Sequence, residues 1–180
     1  MGVGVTEDNY KILTYLLKNY NGRLIIDADG LNTLAKYGKE ILLDRKCEVA
    51  LTPHIGEFCR LINADKNEVL DNEIQLAKDF AKKYNVVLAL KNAVSVITDG
   101  QTTFINTSGC PGMAKAGSGD VLSGIMAGVC TRDRDFIDCV SASCYLFGLA
   151  GESAEKKQNS YTMTASDIVR EIATIISEIM

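Results

Sequence analysis

The stretch Ser108–Gly124 is rich in glycine and contains the residues of this chain that are best suited to chemistry. Glycines at this density let a backbone turn at positive φ and come close to a ligand. The apolar segment Val121–Cys130 has helical length, and Ser118 or Gly119 is suited to be its N-cap. Such a helix start leaves N–H groups unpaired, and these favour an anion such as phosphate. The pattern therefore predicts an anion-binding turn, with Asp120 in the first turn of the helix.

Asp120 has a structural interpretation as well as a chemical one. An acidic residue in a first helical turn commonly caps the helix and interacts with its dipole. Two other phosphate motifs are excluded by spacing. The P-loop has a lysine after its last glycine, whereas Lys115 precedes Gly117 here. The dinucleotide-binding fingerprint needs a strand directly before its glycines, which this stretch lacks.

Other polar residues follow predicted strands. Three apolar runs predict buried, mostly parallel strands: Leu24–Ile26, Val49–Leu51 and Val86–Leu90. The polar residues after them are Asp27, Asp29, His54, Glu57 and Lys91. Because open α/β sheets bind ligands at the carboxyl ends of their strands, we expect these residues to share a cleft with the glycine turn. Each acid is equally suited to a helix first turn, and a lone histidine is more often a surface residue.

The remaining pattern predicts the elements that position these residues. Pro53 is expected to end the second strand. Asp99-Gly100 predicts a hairpin with a type I′ turn between Val94–Thr98 and Gln101–Ile105. The segment Val121–Cys130 predicts a buried central helix whose small-residue face packs against another element. Further helices are expected at 7–20 after Thr6, at 31–37, 67–84, 135–155 and 165–179, the last with a Thr164/Asp167 capping box.

Composition narrows the class of protein. The chain of 180 residues has the length of one domain, with 47% hydrophobic and 23% charged residues. A net charge of −4 without a basic run argues against a nucleic-acid-binding surface. No apolar run is long enough to cross a bilayer, and no signal-peptide pattern is present. We therefore expect a cytoplasmic protein without membrane or nucleic-acid partners.

Six cysteines invite a disulfide or zinc interpretation. No Cys-x-x-Cys pair occurs, and the single histidine is remote from any plausible cysteine cluster in the sequence. Most of the cysteines lie in apolar segments, where a free thiol behaves as a small hydrophobe. We expect six reduced thiols.

The segment Gly112–Gly124 closely resembles the signature of the NAD(P)H-hydrate dehydratases, repair enzymes with a ribokinase-like fold. The resemblance continues in Asp27–Asn32, Thr52–Glu57 and Ala165–Asp167, in order along nearly the whole chain. It implies a single α/β domain over residues 1–180, with three αβα layers, a mostly parallel central sheet and a β-hairpin.

The resemblance also implies an activity. The family uses ATP or ADP to phosphorylate the hydroxyl of hydrated NADH or NADPH, and loss of phosphate restores the dihydronicotinamide ring. Mg²⁺ is expected with the nucleotide, and its ligands are left open. On this resemblance Asp120 is the catalytic base. The hydrate-binding residues are Gly4, His54 and Asp120. The anion hole is Ala116, Gly117, Ser118 and Gly119. The nucleotide-binding residues are Lys91, Asn92, Ala93, Val94, Ser95 and Gly119.

The chain departs from the family pattern in several places. Asn92 and Ala116 stand where glycine is common, and Ser95 stands where threonine is common. At the front, Gly2–Gly4 matches the end of a glycine-rich turn that normally follows a strand, and no strand precedes it here. We therefore expect a chain that lacks the N-terminal segment of the family's domain and has a bare sheet edge. Either another subunit covers this edge in a homo-oligomer, or the isolated chain is marginally stable and poorly active.

Two other functions stay open on the sequence alone. A ribokinase-like kinase of a small molecule, such as a vitamin precursor, would use the same glycine turn and aspartate. A nucleotide-binding module without catalysis is a second alternative, if the absent segment is essential. The segment Thr52–Glu57 and the Met113-Ala114 pair favour the dehydratase.

Overall fold

The computed structural model describes residues 2–179. They form two compact units, with the boundary between Ile105 and Asn106. Each unit has a hydrophobic cluster of its own. The expectation of a single domain over residues 1–180 stays a prediction.

The first unit alternates helices with short strands. Its elements are α1 (Glu7–Asn19), β1 (Arg23–Ile26), α2 (Asp29–Tyr37), a 3₁₀ turn (Lys39–Leu43), β2 (Glu48–Leu51), α3 (Ile55–Ile62), α4 (Lys66–Asp71), α5 (Glu73–Tyr84), β3 (Val87–Leu90), β4 (Ser95–Thr98) and β5 (Thr103–Asn106), whose last residue begins the second unit.

The five strands form one sheet in the order β1-β2-β3-β4-β5. The first three are parallel, with Ile26 opposite Leu51 and Leu51 opposite Leu88, and β4 is antiparallel to β3. All four residues of β3 are buried, as the apolar run predicts. The three predicted parallel strands and the hairpin strands are therefore confirmed, and the fold class is α/β.

The predicted type I′ turn is wrong. Four residues, Asp99–Thr102, connect β4 to β5, and among them only Gly100 has a positive φ, of 90°. The Asp99 carboxylate accepts hydrogen bonds from the N–H groups of Gln101 and Thr102 at 2.8 and 2.7 Å. The aspartate side chain thus replaces the second left-handed residue that a type I′ turn requires.

The helix predicted over 67–84 is two helices. Asn72 interrupts it with φ −129° and ψ 27°, and its side-chain amide donates to the Glu68 carbonyl at 3.2 Å. Asp65 caps the first of the two by accepting from the N–H groups of Asn67 and Glu68. Short polar side chains compete for backbone hydrogen bonds in this way, which the apolar periodicity does not reveal.

Helix α1 starts at the predicted N-cap, since the Thr6 hydroxyl accepts from the Asn9 N–H. Its apolar residues do not all face the core. Leu17 is fully buried, whereas Ile12 is 58% and Tyr15 is 67% exposed. One side of α1 is therefore both apolar and solvent-exposed.

The second unit contains a 3₁₀ turn (Pro111–Met113), α6 (Ser118–Val129), α7 (Phe136–Thr162) and α8 (Ala165–Ile179). Helix α7 extends beyond its predicted end, through a kink at Asn159 with φ 63° and ψ 163°. At the start of α8 the Asp167 carboxylate accepts from the Thr164 N–H at 2.7 Å and from its hydroxyl at 2.8 Å. Of the two hydrogen bonds of the predicted capping box, the one from the Thr164 N–H to the Asp167 side chain is confirmed.

Helix α6 differs from its prediction on one side. Leu122 and Met126 are buried, but Gly124, Ala127 and Gly128 are exposed. A Cβ atom at Gly124 or Gly128 would meet no heavy atom within 4 Å. Ser123, the remaining residue of this predicted small-residue face, is buried. Among the described residues the face is therefore only partly packed, and the predicted close approach does not hold at Gly124 and Gly128.

All six cysteines are free thiols, and Cys47, Cys130, Cys139 and Cys144 are buried. Burial raises the pKa of the Cys47 thiol. None of the described helices combines the length and the apolar character that a membrane span needs.

Candidate active site

The carboxyl end of β1 forms an ion pair with the carboxyl end of β3. The Asp27 carboxylate, which is 7% exposed, accepts from the Lys91 ammonium at 3.0 Å. The parallel order places these two strand ends on either side of β2. A buried charge of this kind is costly unless it is paired. The ion pair therefore fixes Lys91, which begins the predicted nucleotide-binding segment.

The link between β1 and α2 is strained. Ala28 has φ 50° and ψ −117°, a conformation that residues with a Cβ rarely adopt. This conformation separates the two neighbouring carboxylates. Asp27 pairs with Lys91, while Asp29 accepts from the Gly4 N–H at 2.8 Å. Gly4 itself has φ 82°, and the sequence pattern did not predict its contact with Asp29.

His54 is the N-cap of α3 and shares a reciprocal capping box with Glu57. The ring Nδ1 accepts from the Glu57 N–H at 3.2 Å, and the buried Glu57 carboxylate accepts from the His54 N–H at 2.9 Å. The histidine side chain is 56% exposed. His54 thus caps a helix and still presents an exposed ring, and its contact with the hydrate stays a prediction.

Pro53 does not end the strand pairing completely. Strand β2 stops at Leu51, but the Pro53 carbonyl accepts from the Lys91 N–H at 2.8 Å, and His54 and Lys91 form an isolated parallel bridge. Proline lacks only the donor, so its carbonyl stays available. The bridge brings His54 beside Lys91.

Of the predicted nucleotide-binding residues after Lys91, Asn92, Ala93 and Val94 form the exposed loop between β3 and β4, and Ser95 begins β4. The Asn92 side chain accepts from the Ala93 N–H at 2.9 Å and donates to Glu73 at 3.1 Å. The Ser95 hydroxyl donates to the Asn92 carbonyl at 3.5 Å. Val94 is 44% exposed. Asn92, which stands where the family commonly has glycine, shapes this loop with its side chain.

In the second unit the glycine turn opens α6 one residue earlier than predicted. Gly117 is the N-cap, with φ 88° and ψ −14°, so Ser118 and Gly119 are already helical. The Ser118 side chain does not cap the helix. It is 7% exposed, and its hydroxyl lacks a hydrogen-bond partner among the described residues. Glycine adopts this left-handed conformation without strain, which explains why α6 begins after Gly117 and one residue earlier than predicted.

The turn has the features of an anion site. Among the described residues, no acceptor contacts the N–H groups of Ala116 and Gly117, and the next N–H groups lie in the first turn of α6. Asp120 is exposed and forms no hydrogen bond or ion pair with the described residues. Asp120 lies in the first turn of α6, as predicted. The role of Ala116–Gly119 as an anion hole stays a prediction. The expected common cleft with His54 and Lys91 stays a prediction.

Comparison with known proteins identifies relatives of this chain. A family model described as NAD(P)H-hydrate dehydratase matches residues 1–174. The bifunctional NAD(P)H-hydrate repair enzyme Nnr of Thermofilum pendens is 36% identical over 166 residues, which are 91% of this chain and 31% of that protein. The ADP-dependent (S)-NAD(P)H-hydrate dehydratase of Cenarchaeum symbiosum is 33% identical over 180 residues, which are 98% of this chain and 60% of that protein.

A solved structure has the same fold. The ADP/ATP-dependent NAD(P)H-hydrate dehydratase of Bacillus subtilis, co-crystallised with ATP/Mg²⁺, gives a TM-score of 0.88 at 27% identity. The alignment covers 99% of this chain and 62% of that one. The chain thus spans less than two thirds of the length of each of these proteins.

The fold and the glycine turn define an α/β protein of the ribokinase-like class. Within that class, the chain belongs to the NAD(P)H-hydrate dehydratase family. The family resemblance expected from the sequence is confirmed.

Proposed function

We propose that this chain carries out nucleotide-dependent dehydration of hydrated NADH or NADPH. The observation that carries the proposal is Asp120, an exposed carboxylate in the first turn of α6 in a chain of this family. Within residues 2–179 it has no hydrogen-bond or ion-pair partner, and the N–H groups of Ala116 and Gly117 have no acceptor. Phosphoryl transfer needs little more than positioning and charge stabilisation, and both are present at this turn.

The reaction has two steps. In the first, the Asp120 carboxylate takes the proton of the hydrate's hydroxyl as that oxygen attacks the terminal phosphorus of ATP or ADP. The bond from that phosphorus to the bridging oxygen breaks, and ADP or AMP leaves. In the second, the carbon–oxygen bond of the phosphorylated hydrate breaks and releases inorganic phosphate. The neighbouring ring carbon loses a proton, which restores the double bond of the dihydronicotinamide.

The other predicted site residues bind and orient the hydrate and the nucleotide. The anion hole at Ala116, Gly117, Ser118 and Gly119 holds the transferring phosphoryl group. The helix dipole favours negative charge there, and the N–H groups of Ala116 and Gly117 have no acceptor among the described residues. His54 contacts the hydrate through its exposed ring, and Gly4 contributes a backbone contact. Residues 91–95 contact the nucleotide. Since Lys91 is paired with buried Asp27, we assign it the role of fixing this loop.

Mg²⁺ fits this chain as part of the nucleotide. The described residues contain no group of three or more His, Cys, Asp or Glu side chains that could hold a metal ion. Mg²⁺ keeps several waters and is usually bound by substrate phosphates with only one or two carboxylates. When bound, it neutralises charge on the phosphates, and we assign it no dedicated protein ligand.

We further propose that the protein is cytoplasmic and forms a homo-oligomer. Free cysteines are typical of a reducing compartment. Self-association would cover the exposed apolar side of α1.

The experiment that tests the activity mixes the protein with hydrated NADH and either ATP or ADP. Absorbance of the reduced ring should return, with one inorganic phosphate released for each ring restored. Recovery of the ring without nucleotide, or no recovery with either nucleotide, contradicts the proposal. Nucleotide binding without turnover favours a binding module. Phosphorylation of an unrelated alcohol, without ring recovery, favours a small-molecule kinase.

A further inference from the structure

We propose that Glu152 and Glu155 of α7 are positioning residues that hold the loop Ser108–Lys115 and thereby set the anion-binding turn at Gly117. The proposal rests on the proposed function for its activity readout, and on contacts within the second unit for its geometry. Neither glutamate belongs to the residues predicted from the sequence.

This loop is joined to α7 by three tethers, which come from two backbone N–H groups and from Lys115, and by a longer hydrogen bond from the Ser108 hydroxyl to the Tyr145 carbonyl at 3.3 Å. The Gly109 N–H donates to Glu152 Oε1 at 2.8 Å, and the Gly112 N–H donates to Glu155 Oε1 at 3.0 Å. The Lys115 ammonium donates to the Tyr161 carbonyl at 2.9 Å. The last tether lies one residue before Ala116, where the turn begins. The loop is therefore fixed at its start, middle and end.

One face of α7 receives the loop. Gly148, Gly151, Glu152 and Glu155 lie at positions i, i+3, i+4 and i+7, so they share one side of the helix. A Cβ atom at Gly148 would lie 2.7 Å from the backbone carbonyl carbon of Ser108 and would overlap its hydroxyl. The two glycines let the loop reach the helix, and the two glutamates then bind its N–H groups. These four residues are called the loop-binding face below.

The glutamates are suited to this task because the loop N–H groups need acceptors. Hydrogen bonds to an ionised acceptor are stronger than neutral ones. Hydrogen bonds from the Ser160 hydroxyl and the Gly112 N–H hold the pKa of the Glu155 carboxyl below its ordinary value. Burial, with Glu155 nearby, raises the pKa of the Cys110 thiol. Glu155 is therefore an ionised acceptor at neutral pH, beside a protonated thiol.

The tethers act on the turn through two backbone hydrogen bonds. The Ser118 N–H donates to the Lys115 carbonyl at 3.2 Å, and the Val121 N–H donates to the Gly117 carbonyl at 3.1 Å. Displacement of Lys115 therefore displaces the first turn of α6. Because misplacing a reacting group by about 1 Å can cost about 100-fold in rate, even a small shift at this turn would be measurable.

The test compares Glu152→Ala, Glu155→Ala and Glu152→Gln with the parent in the full chain. Glu178→Gln, a substitution at an exposed position of α8, is the matched control. Three quantities are measured below the onset of unfolding: hydrogen exchange at the Ser118 and Val121 amides by NMR, affinity for ATP, and kcat and KM for hydrated NADH. A role in stability alone would lower the melting temperature and leave these three unchanged.

We expect both alanine variants to exchange faster at Ser118 and Val121, and to lose about 10- to 100-fold in ATP affinity or kcat. Glu152→Gln should stay within about threefold of the parent, because its amide oxygen still accepts from Gly109. Folded alanine variants with parent exchange and parent affinity would overturn the proposal. So would faster exchange confined to residues 109–112.

Two further arms keep the proposal separate from the activity. If the parent turns over no hydrate, the proposed function fails, and exchange together with ATP affinity decides the inference. If the parent also binds no ATP, exchange at Ser118 and Val121 decides it alone.

If neither alanine variant folds, Lys115→Met removes the third tether, and unchanged exchange at Ser118 in that variant overturns the proposal.

Discussion

His54 uses one ring nitrogen for its helix and leaves the ring more than half exposed. Since Nδ1 accepts from the Glu57 N–H, a neutral ring carries its proton on Nε2. Nε2 lies 3.6 Å from a carboxylate oxygen of Glu57, beyond hydrogen-bond distance, so its N–H is a donor suited to a polar group of the hydrate. The capping role and the binding role therefore belong to different atoms, and substitution can separate them.

We expect His54→Asn and His54→Ala both to weaken binding of hydrated NADH, with little change in ATP affinity. Asparagine is a good N-cap, so only the alanine variant should lose about 1 kcal/mol of unfolding free energy. Titration with each ligand and urea denaturation measure the two effects. Equal loss of both affinities in His54→Asn would contradict the assigned role.

Asp120→Asn should keep the fold and reduce turnover by about 10²–10⁴-fold, because the amide lacks a basic lone pair. Asp138→Asn is the control, since Asp138 is also an exposed aspartate in the first turn of a helix. Steady-state rates of ring recovery and thermal melting of both variants provide the comparison. If Asp120→Asn works at the parent rate, Asp120 is only a helix-capping acid.

Ala28 provides a test of the strained link after β1. Glycine adopts φ 50° and ψ −117° far more readily than alanine. We expect Ala28→Gly to raise the unfolding free energy by about 1 kcal/mol, since relief of strain exceeds the added entropy of the unfolded chain. Ala35→Gly, in the interior of α2, should instead lower it by about 1 kcal/mol. Urea denaturation that shows a loss in both variants would refute strain at Ala28.

At the scale of elements, sequence patterns within a single strand or helix were sufficient to predict that element. The apolar run before Lys91 gave a fully buried strand, and Thr6 gave the start of α1. The sequence patterns did not predict features that depend on a hydrogen bond between a side chain and the backbone. Asn72 divides a helix that periodicity makes continuous, and Asp99 changes a turn type by accepting two N–H groups. Both effects are local hydrogen bonds that composition does not specify.

The same limit applies to the site. Motif spacing located Asp120, His54 and the glycine turn, because strand ends and helix starts fix where such residues lie. It did not reveal the partner of Lys91, since Asp27 lies 64 residues earlier in the chain. The exposed face of α6 was also missed, because a row of small residues indicates close packing without showing that a neighbour is present.

Two carboxylates of α8 make the second unit sensitive to acid. Asp167 caps the start of α8, and Glu171 joins α8 to Ser153 and Lys157 of α7. Hydrogen bonds from the Thr164 hydroxyl and N–H lower the pKa of Asp167. Hydrogen bonds from Lys157 and Ser153 lower the pKa of Glu171. A group whose pKa is lower in the folded state adds stability above its unfolded pKa, and this stability is lost as pH falls through the folded value.

We therefore expect the unfolding free energy to fall as pH decreases below about 4. The double variant Asp167→Asn/Glu171→Gln should be less stable at pH 7 and show a shallower fall. Glu178→Gln is the control and should follow the parent curve. Chemical denaturation at a series of pH values measures how steeply the unfolding free energy depends on pH. Parallel curves for the parent and the double variant would exclude these two carboxyls as the cause of the fall.

At the scale of the whole molecule, two exposed features are unusual together. Strand β1 is at one end of the strand order, with β2 as its one strand neighbour among the described residues. The exposed side of α1 includes Ile12 and Tyr15, which are 58% and 67% exposed. Unpaired strand edges and apolar surface both favour association.

We expect the parent to sediment as a dimer or larger species, and Ile12→Lys/Tyr15→Lys to sediment as a monomer at the same concentration. Because both side chains are exposed in the single chain, the double variant should keep the unfolding free energy of the isolated chain. Val169→Lys, at an exposed apolar position on α8, is the control and should stay associated. A monomeric parent would contradict the proposed homo-oligomer.

The loop-binding face of α7 also limits which substitutions this sequence can accept during evolution. At Gly148 the obstacle to any larger residue includes the backbone of Ser108, which cannot retreat without moving the loop. At Gly151 the obstacle is the flexible end of Met113, which can shorten or turn aside. Relatives that keep this loop should therefore hold glycine at the first position. At the second they should exchange residues in pairs with position 113, so the two glycines will diverge at different rates.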